Sequence, residues 1–410
     1  MSLNQFREKR EYILNQYKKA EFKLPLRYYR QETHFIVPAS NMEMIGKAFE
    51  NGCSRSEQLL NKSDIYLEEI AQITELPMKV VQDVLIQKNH ADLILIDGED
   101  ATALNDQSIE EGRRNAVDAV LRYKEKKSLL FYRPSGFELE YCFDDIVHVV
   151  GKIAEAGSDF GLDGIIFPKP NSVNELKWVD ELLSEMELKY SLPQNTVKMQ
   201  FLAESSRGLE LLYEMASIVN ERLCGIIFGK ADYASELNLN SIENHLTAFE
   251  IARWKIVNTS SVFKVPPIDS MTFEYPVSSK YLTTSENKKN ILLKLKKVFT
   301  DTVSSISSGM QGKWVGHPLQ LFMVKLAFEK YYFDMNLESK VEQVEQYKES
   351  SQLNNKGATI INGDMVDRAT DRQVRTLLRK AGIAGHLGIN KLSALEIFSP
   401  AEERELLKRY

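Results

Sequence analysis

The sequence predicts an α/β protein whose eight parallel strands close into a (β/α)8, or TIM, barrel. Eight short apolar runs alternate with stretches of helical periodicity, and each run ends in a polar or ionisable group. Runs rich in Val, Ile, Leu and Phe without polar alternation are typical of parallel strands buried on both faces. These runs are HFIVPAS, DLILIDGED, SLLFYRP, GIIFPKP, VKMQFLAES, GIIFGKAD, SVFKVPPID and GKWVGHP.

The chain is longer than this repeat requires, because a bare barrel needs about 250 residues and the chain has 410. An N-terminal amphipathic helix is expected from about Asn4 to Lys19, where apolar residues recur at helical spacing. A helical insertion, shaped as a hairpin, is expected at about 54–90, after the first barrel helix. It would lie away from the mouth of the barrel or fold over it. Residues 1–325 would form the barrel domain and 326–410 a C-terminal helical tail.

Six later stretches between the runs carry an apolar stripe and a charged face, as helices packed on a sheet do. They are SIEEGRRNAVDAVLRYKEK, DDIVHVVGKIAEAG, NELKWVDELLSEMELKY, SRGLELLYEMASIVNERL, ENHLTAFEIARWKIVNT and ENKKNILLKLKKVFTDTVSSI. The seventh run, SVFKVPPID, contains Pro266 and Pro267, and both are expected near the end of the strand, where proline is tolerated.

The composition is that of an ordinary globular protein, with 43% hydrophobic and 27% charged residues. A net charge of −6 and scattered Lys and Arg residues argue against binding to nucleic acid. Cys53, Cys142 and Cys224 show no CxxC pairing, which argues against a disulfide framework and a zinc ribbon. The charged N-terminus is unlike a signal peptide, and no apolar run reaches the roughly 18 residues of a membrane span. A cytoplasmic protein without membrane contact is expected.

Carboxylates at the ends of the fifth and sixth runs indicate a metal site. Strand ends meet at one mouth of a (β/α)8 barrel, so Glu204 and Asp232 can converge from neighbouring strands. Two carboxylates with waters and substrate oxygens suit Mg²⁺ or Mn²⁺ better than zinc or copper. The alternative is that each carboxylate caps the helix that follows it.

Three further carboxylates, Asp97, Glu99 and Asp100, crowd the end of the second run. Strand alternation would send Asp97 and Glu99 to one face and Asp100 to the other, so not all three could reach one metal. Hydrogen bonds to metal-bound waters are therefore expected rather than direct ligation. The alternative is a solvated acidic turn.

Cationic and imidazole groups also follow strands, at the ends that are expected to form the mouth. Asp269, at the end of the seventh run, is expected to point into the same mouth. Arg133 suits bidentate capture of a substrate carboxylate, or an ion pair with an acidic strand end. Lys169 could form a Schiff base, but the carboxylates favour metal chemistry and an ion pair for this lysine. His317 belongs to no HxH or HExxH pattern, so a structural, hydrogen-bonded role is expected. No P-loop and no GxGxxG fingerprint is present.

Several motifs together resemble the HpcH/HpaI aldolase and citrate lyase beta subunit family, most closely its citryl-CoA and malyl-CoA lyase branch. The similar blocks lie in family order from about Phe35 to Asp367. They are VPASNMEMIGKA, IDGEDATA, GIIFPKPNSVNEL, FLAESSRGL, GIIFGKADYASEL, GMQGKWVGHPLQ and GATIINGDMVD. Members of the family usually carry an Arg-Ser pair before the first strand, where this chain has Glu32 and Thr33, with Arg30 as the nearest cation.

The resemblance implies Mg²⁺ bound by Glu204 and Asp232, with Mn²⁺ as a substitute, and Arg133 holding the oxyanion or carboxylate of the substrate. Independently of the resemblance, Asp97 and Lys169 at the same mouth are also expected to contact substrate. The resemblance further implies that Glu99 and Asp100 organise the surroundings of the metal.

The resemblance also gives the tail a role. Asp367 matches an acidic residue that, in malyl-CoA-type lyases, reaches the site of a neighbouring subunit as acid/base. The tail would then contribute to an active site, and the protein would be a homo-oligomer.

The expected function is a Mg²⁺-dependent carbon–carbon lyase that cleaves a 3-hydroxyacyl-CoA, such as a citryl-CoA- or malyl-CoA-like thioester, by a retro-aldol step. One alternative is a class II, pyruvate-type aldolase that acts on a free 2-keto acid. A malate synthase-type condensation and hydrolysis is a second, because IDGEDATALND also occurs in relatives of that type. The third is a non-catalytic, metabolite-binding barrel, which need not keep both Glu204 and Asp232.

Overall fold

A computed structural model describes residues 3–19, 24–50, 54–87, 90–125, 127–157, 159–243, 246–353 and 357–407. Some predicted features fall outside these ranges. They are Cys53, residues 88–89 of the expected insertion, and residues 244–245 near the expected start of one helix.

The predicted barrel is confirmed. Eight parallel strands pair in chain order, and the first also pairs with the eighth, so that the sheet closes. Apart from the last residue of the first strand, every strand residue is buried, as expected for strands covered on both faces. The strands are β1 (Thr33–Pro38), β2 (Leu93–Asp97), β3 (Leu129–Arg133), β4 (Gly164–Phe167), β5 (Lys198–Ala203), β6 (Leu223–Phe228), β7 (Pro267–Asp269) and β8 (Gly312–Val315).

Helices surround this sheet, and a short 3-10 helix, Leu26–Tyr29, precedes β1. The helices up to β6 are α1 (Leu3–Lys19), α2 (Met42–Glu50), α3 (Ser54–Lys62), α4 (Leu67–Thr74), α5 (Met78–Gln87), α6 (Asp106–Tyr123), α7 (Tyr141–Glu155), α8 (Val173–Lys189), α9 (Ser206–Glu210) and α10 (Leu212–Ile218). Those after β6 are α11 (Lys230–Glu236), α12 (Thr247–Phe263), α13 (Thr284–Ser307), α14 (Pro318–Asp334), α15 (Leu337–Leu353), α16 (Arg368–Ala384), α17 (Ile389–Ala394) and α18 (Pro400–Leu407). None of the helices in the described ranges is long and apolar enough to cross a bilayer.

The seventh strand is shorter than predicted. Helix α12 continues to Phe263 and ends at Lys264, which has a left-handed φ of 55°. Only Pro267–Asp269 is extended, so Pro267 begins the strand instead of lying near its end. A proline is tolerated there because its missing N–H removes little from the ladder at the first strand position.

The insertion contains three helices, α3, α4 and α5, rather than a hairpin. They pack on the flank of the barrel against α13 and α14. Their apolar residues Leu60, Ile70 and Val81 are buried in the same core as the barrel strands. The insertion therefore lies beside the barrel and does not form a separate domain.

The tail differs from the predicted helical extension in two respects. The expected boundary at residue 325 falls inside α14, which packs on β1 and β8 as the last barrel helix. The tail also contains an antiparallel hairpin, β9 (Ala358–Ile361) and β10 (Asp364–Asp367). Helices α16 and α18 pack on the 3-10 helix before β1, at the end of the barrel where strands begin.

Candidate active site

Asp97 and Arg133 form a two-point ion pair at the mouth. They end the neighbouring strands β2 and β3 and lie opposite each other in the strand register. Arg133 donates from Nε to Asp97 Oδ1 and from Nη2 to Asp97 Oδ2, both at 2.6 Å. Asp97 also accepts the backbone N–H groups of Glu99 and Ala101. The sequence predicts substrate contact for Asp97, which stays a prediction. In the structure this carboxylate is only 1% exposed, and both of its oxygens accept hydrogen bonds from Arg133 and from backbone N–H groups.

The loop after Asp97 folds back over Arg133. Gly98 makes this approach possible, because a Cβ there would lie 2.9 Å from the backbone oxygen of Arg133. Glu99 Oε2 lies 2.9 Å and Asp100 Oδ2 lies 3.3 Å from Arg133 Nη1. The expected separation of these carboxylates onto opposite faces is therefore wrong. Alternation ends with the strand at Asp97, and the loop brings all three carboxylates to one guanidinium.

Lys169 joins the acidic loop to the second pair of carboxylates. It follows β4 with a left-handed φ of 48°. Its Nζ lies 3.0 Å from Glu99 Oε1, 3.4 Å from Asp100 Oδ1 and 3.5 Å from Asp232 Oδ1. Burial alone would lower the pKa of Lys169, but these carboxylates outweigh it and raise the pKa above its usual range. Lys169 is thus a charged member of an ion-pair network, which argues against a neutral, Schiff-base-forming lysine.

Glu204 and Asp232 come together at the ends of β5 and β6. Glu204 is 4% exposed and accepts the backbone N–H of Lys169 at 3.0 Å. Gly229 leaves room for it, since a Cβ there would lie 2.3 Å from Glu204 Oε2. Asp232 lies in the first turn of α11, a helix absent from the prediction, and its side chain is 44% exposed. Ser205, not Glu204, caps α9, so the helix-capping alternative does not account for Glu204.

Two carboxyl groups of this cluster have raised pKa values. Burial raises the pKa of Glu204 well above its usual range, and the nearby charges of Asp232 and Glu99 add to this. Burial also raises the pKa of Glu99 to about 7, although Arg133 and Lys169 oppose the shift. Buried, mutually repelling carboxylates are a setting in which a cation would be strongly favoured.

The residues at the mouth fit a hard divalent cation. Glu204 and Asp232 offer only oxygen ligands, which suit Mg²⁺ or Mn²⁺. Within the described ranges no group of three or more His, Cys, Asp or Glu residues is arranged to hold a metal. A cation at Glu204 and Asp232 would therefore need further oxygens from water or substrate, as Mg²⁺ commonly does.

Asp269 and His317 do not join this cluster. Asp269 is fully buried, with Oδ1 3.3 Å from Arg253 Nε and Oδ2 3.4 Å from Lys313 Nζ, and it also accepts a hydrogen bond from Ser305. Its partners on α12 and α13 show that it points outward from the barrel, so its predicted place in the mouth is wrong. His317 caps α14 by accepting the N–H of Leu319 at 3.2 Å, a structural role.

Asp367 lies in the tail and caps α16. Its Oδ1 accepts the N–H groups of Ala369 at 2.9 Å and Thr370 at 3.0 Å. These hydrogen bonds lower its pKa, the one from Thr370 most. The structure does not bring Asp367 to Arg133 or Glu204 of its own chain, and a role in a second subunit stays a prediction.

Two findings at the barrel were not anticipated from the sequence. The indole of Trp314 on β8 lies against Arg133, with the guanidinium carbon 5.4 Å from the ring centroid. Only its position in the eighth run could have indicated this contact. Glu32 lies before β1, at the end of the barrel away from the mouth, and pairs with His386 of the tail at 3.0 Å. Glu32 is one of the two residues that stand in place of the family's Arg-Ser pair, and it therefore lies at the contact between the barrel and the tail.

Acidic and basic groups thus converge where the strands of a (β/α)8 barrel end, which is the position of the active site in this architecture. Fold and site together define a barrel enzyme for a small-molecule substrate. The sequence pattern of the HpcH/HpaI aldolase/citrate lyase family matches residues 79–299, more than half of the chain. The chain belongs to this family, whose members include lyases.

Named relatives agree with this assignment at low identity. A Cereibacter sphaeroides L-malyl-CoA/beta-methylmalyl-CoA lyase is 23% identical over 307 residues, covering 71% of this chain and 87% of the relative. A Haloarcula marismortui protein of the same name is 24% identical over 240 residues. That match covers 57% of this chain and 66% of the relative, just under two thirds.

Solved structures show the same fold. A citrate lyase from Burkholderia xenovorans superposes with a TM-score of 0.58 at 15% identity, covering 95% of this chain and 98% of that one. A magnesium/glyoxylate complex of Haloferax volcanii malate synthase has a TM-score of 0.51 at 14% identity, with 92% and 97% covered. At these identities the likeness concerns the fold alone.

Proposed function

We propose that the protein is a Mg²⁺-dependent carbon–carbon lyase that cleaves a 3-hydroxyacyl-CoA into an acyl-CoA and a 2-keto acid. A malyl-CoA- or citryl-CoA-like thioester is the substrate class. One observation carries the proposal: Glu204 and Asp232 adjoin Lys169, Glu99 and Arg133 at the mouth of the barrel. The malyl-CoA lyases among the relatives support this choice of substrate.

Glu204 and Asp232 would hold the cation, which supplies Lewis-acid stabilisation of charge on the substrate oxygens. Arg133 would donate to the same oxygens. Its Nη1 contact with Asp100 is the long one at 3.3 Å, and the Asp100 side chain is 53% exposed. That contact can be exchanged for a substrate carboxylate, while Asp97 keeps the guanidinium in place from the other side.

Proton transfer would involve two carboxyl groups whose pKa values are shifted in opposite directions. Glu99, with a pKa of about 7, can hold or release a proton near neutral pH. Asp367 has a lowered pKa where it caps α16, so its carboxylate is ionised. In the synthetic direction it would remove the proton alpha to the thioester, and in the cleavage direction it would return that proton to the departing enolate. We propose that it does so in a neighbouring subunit of a homo-oligomer.

The decisive experiment is product analysis with malyl-CoA and citryl-CoA, with Mg²⁺ and after chelation. Formation of glyoxylate or oxaloacetate together with an intact acyl-CoA, only when Mg²⁺ is present, is expected. Release of free coenzyme A from malyl-CoA would indicate the malate synthase-type reaction. Cleavage of a free hydroxy keto acid, with neither thioester consumed, would indicate the pyruvate-type aldolase. No turnover of any substrate would favour a binding barrel.

The metal site is tested with Glu204→Gln and Asp232→Asn. Each should abolish Mg²⁺-dependent turnover and leave the fold intact, because Gln and Asn keep the shape of Glu and Asp and remove only the negative charge. Glu214→Gln, at an exposed carboxylate of α10, is the matched control. Unchanged Mg²⁺ affinity in both site variants, measured by calorimetry with glyoxylate present, would rule out this metal site.

A further inference from the structure

A cavity of about 310 Å³ lies between the barrel wall and the surrounding helices, beside the ends of β1 and β8. Its lining comes from β1, α2, α3, the two residues that follow β8 and the start of α14. Residues that matter for its chemistry are Phe35, Val37, Lys47, Arg55, Leu59 and Leu321. The volume is at the small end of the usual range for ligand pockets.

This cavity is separate from the mouth. His34 bonds to Gln31 at 3.0 Å, and Gln31 in turn accepts from Gln200 of β5 on the far side of the barrel. His34 therefore points into the barrel. Phe35 and Val37 flank Ile36 on the opposite face of β1, since successive strand residues alternate. The cavity is thus outside the barrel wall, while the carboxylates of the candidate active site lie at its open end.

The insertion builds one side of the cavity. Helix α3, the first helix of the insertion, supplies Arg55 and Leu59 to the lining. Ser56, which follows Arg55 in the first turn of α3, donates from Oγ to the carbonyl oxygen of Pro318 at 2.9 Å. This bond ties α3 to the start of α14. The insertion, which the proposed reaction does not use, therefore creates a site that the barrel by itself would lack.

The lining combines an apolar body with cations. Phe35, Val37, Leu59 and Leu321 offer hydrocarbon surface, while Lys47 and Arg55 bring two positive charges. Glu43 pairs with Lys47 and balances one of them. The net positive charge that remains favours a ligand with an anionic group at one end. Burial, with a further contribution from Arg55, lowers the pKa of His317 to about 4, so this histidine is neutral and adds no charge.

We propose that this cavity binds an apolar carboxylate of medium chain length, at a site separate from that of the thioester substrate. The hydrocarbon chain would lie on Phe35, Val37, Leu59 and Leu321, and the carboxylate would face Arg55 and Lys47. A cavity of this size has room for roughly ten water molecules, which such a chain would displace. An apolar lining with few polar groups offers few hydrogen-bond partners to the amide-rich pantetheine arm of coenzyme A.

The test is calorimetric titration of the full-length protein with octanoate, 1-octanol and coenzyme A. Octanoate should bind, and 1-octanol should bind about tenfold more weakly because it lacks the charge. Coenzyme A should not displace octanoate. Absence of octanoate binding would overturn the proposal, and equal binding of 1-octanol would overturn the role of the cations. Displacement by coenzyme A would assign the cavity to the thioester site instead.

Variants locate the binding. Leu59→Trp fills the cavity and should abolish octanoate binding, whereas Leu293→Trp, at a residue 69% exposed on α13, should not. Arg55→Glu should weaken octanoate about tenfold, and Arg372→Glu, at an exposed residue of the tail, should have no effect. Should Leu59→Trp not fold, Ala48→Leu narrows the same cavity from α2. Unchanged octanoate binding in every cavity variant that folds would contradict the proposed location of the site.

Discussion

Both oxygens of Asp97 accept N–H groups of Arg133 at 2.6 Å, across the ends of the neighbouring strands β2 and β3. This two-point ion pair fixes the plane of the guanidinium. Arg133 then presents Nη1 to Glu99 and Asp100. The acidic loop, Arg133 and Lys169 therefore form one connected network of ion pairs.

Asp97→Asn should destabilise the protein by about 3 kcal/mol, because it leaves a buried cation without its main partner. Urea unfolding of the variant measures this loss. Asp118→Asn, at an exposed carboxylate of α6, is the control. A loss as small as that of the control would mean that Glu99 and Asp100 satisfy Arg133 without Asp97.

Arg133→Lys should raise the KM for the keto acid about tenfold in the condensation direction, while Mg²⁺ affinity changes little. Lysine keeps the positive charge but lacks the planar fork that binds a carboxylate at two points. Steady-state kinetics with glyoxylate and oxaloacetate give the comparison. Wild-type KM values for every accepted keto acid would contradict recognition of the carboxylate by Arg133.

Lys169→Met should tighten Mg²⁺ binding by about tenfold, since the ammonium group lies 3.5 Å from Asp232 and repels a nearby cation. Methionine retains most of the side-chain volume without the charge. Calorimetric Mg²⁺ titration of this variant is compared with Lys177→Met, at an exposed residue of α8. Weaker binding in Lys169→Met would show that Lys169 supports the metal site.

Asp367→Asn and Asp367→Ala separate catalysis from helix capping. Asparagine still caps α16 through its side-chain oxygen, whereas alanine cannot. If Asp367 acts as acid/base, both variants lose activity, but only alanine lowers the thermal stability of the tail. An active Asp367→Asn enzyme would leave capping as its role.

Mixing inactive Asp367→Asn with inactive Glu204→Gln should restore activity if Asp367 reaches a second subunit. Some mixed oligomers would then contain one site with both residues intact. Subunit exchange must first be shown with tagged wild-type chains. Failure to complement despite exchange would place Asp367 in its own subunit or outside the reaction.

His386 should make docking of the tail weaker at alkaline pH. Burial alone would lower the pKa of His386, but Glu32 at 3.0 Å and Glu329 at 3.1 Å outweigh it and raise the pKa above 6.5. The stabilisation is therefore complete below the unfolded-state pKa of about 6.5 and is lost as pH rises through the folded-state pKa. Unfolding free energies of wild type and His386→Asn should differ more at about pH 6 than at about pH 9. An equal difference at both pH values would contradict a charged His386.

Most of the barrel could be predicted because continuous apolar runs have few alternatives to a doubly buried parallel strand. The seventh run was the exception. Ser261, Val262 and Phe263 extend the helical pattern of α12, and apolar residues at such a junction fit either structure. Helix α11 was missed because Lys230–Glu236 is too short to show periodicity.

The sequence indicated which ionisable residues lie at the strand ends, but it did not indicate which residues they pair with. Local alternation placed Asp100 apart from Asp97, whereas the turn at Gly98 brings both to Arg133. Asp269 ends a strand like the others, yet Arg253 and Lys313 hold it outside the barrel. Which way a strand-end side chain turns depends on groups distant in sequence.

The sequence by itself determined the closed parallel barrel, the order of its strands and, apart from Asp269, the carboxylates and cations near its mouth, because hydrophobic patterning acts locally along each element. Only the tertiary structure decided that Asp97 supports Arg133, that Lys169 links two acidic groups, and that the insertion leaves a cavity against β1. Ion pairs and cavities arise where segments far apart in the chain meet. Their geometry is set by packing across the whole fold and not by any single run of residues.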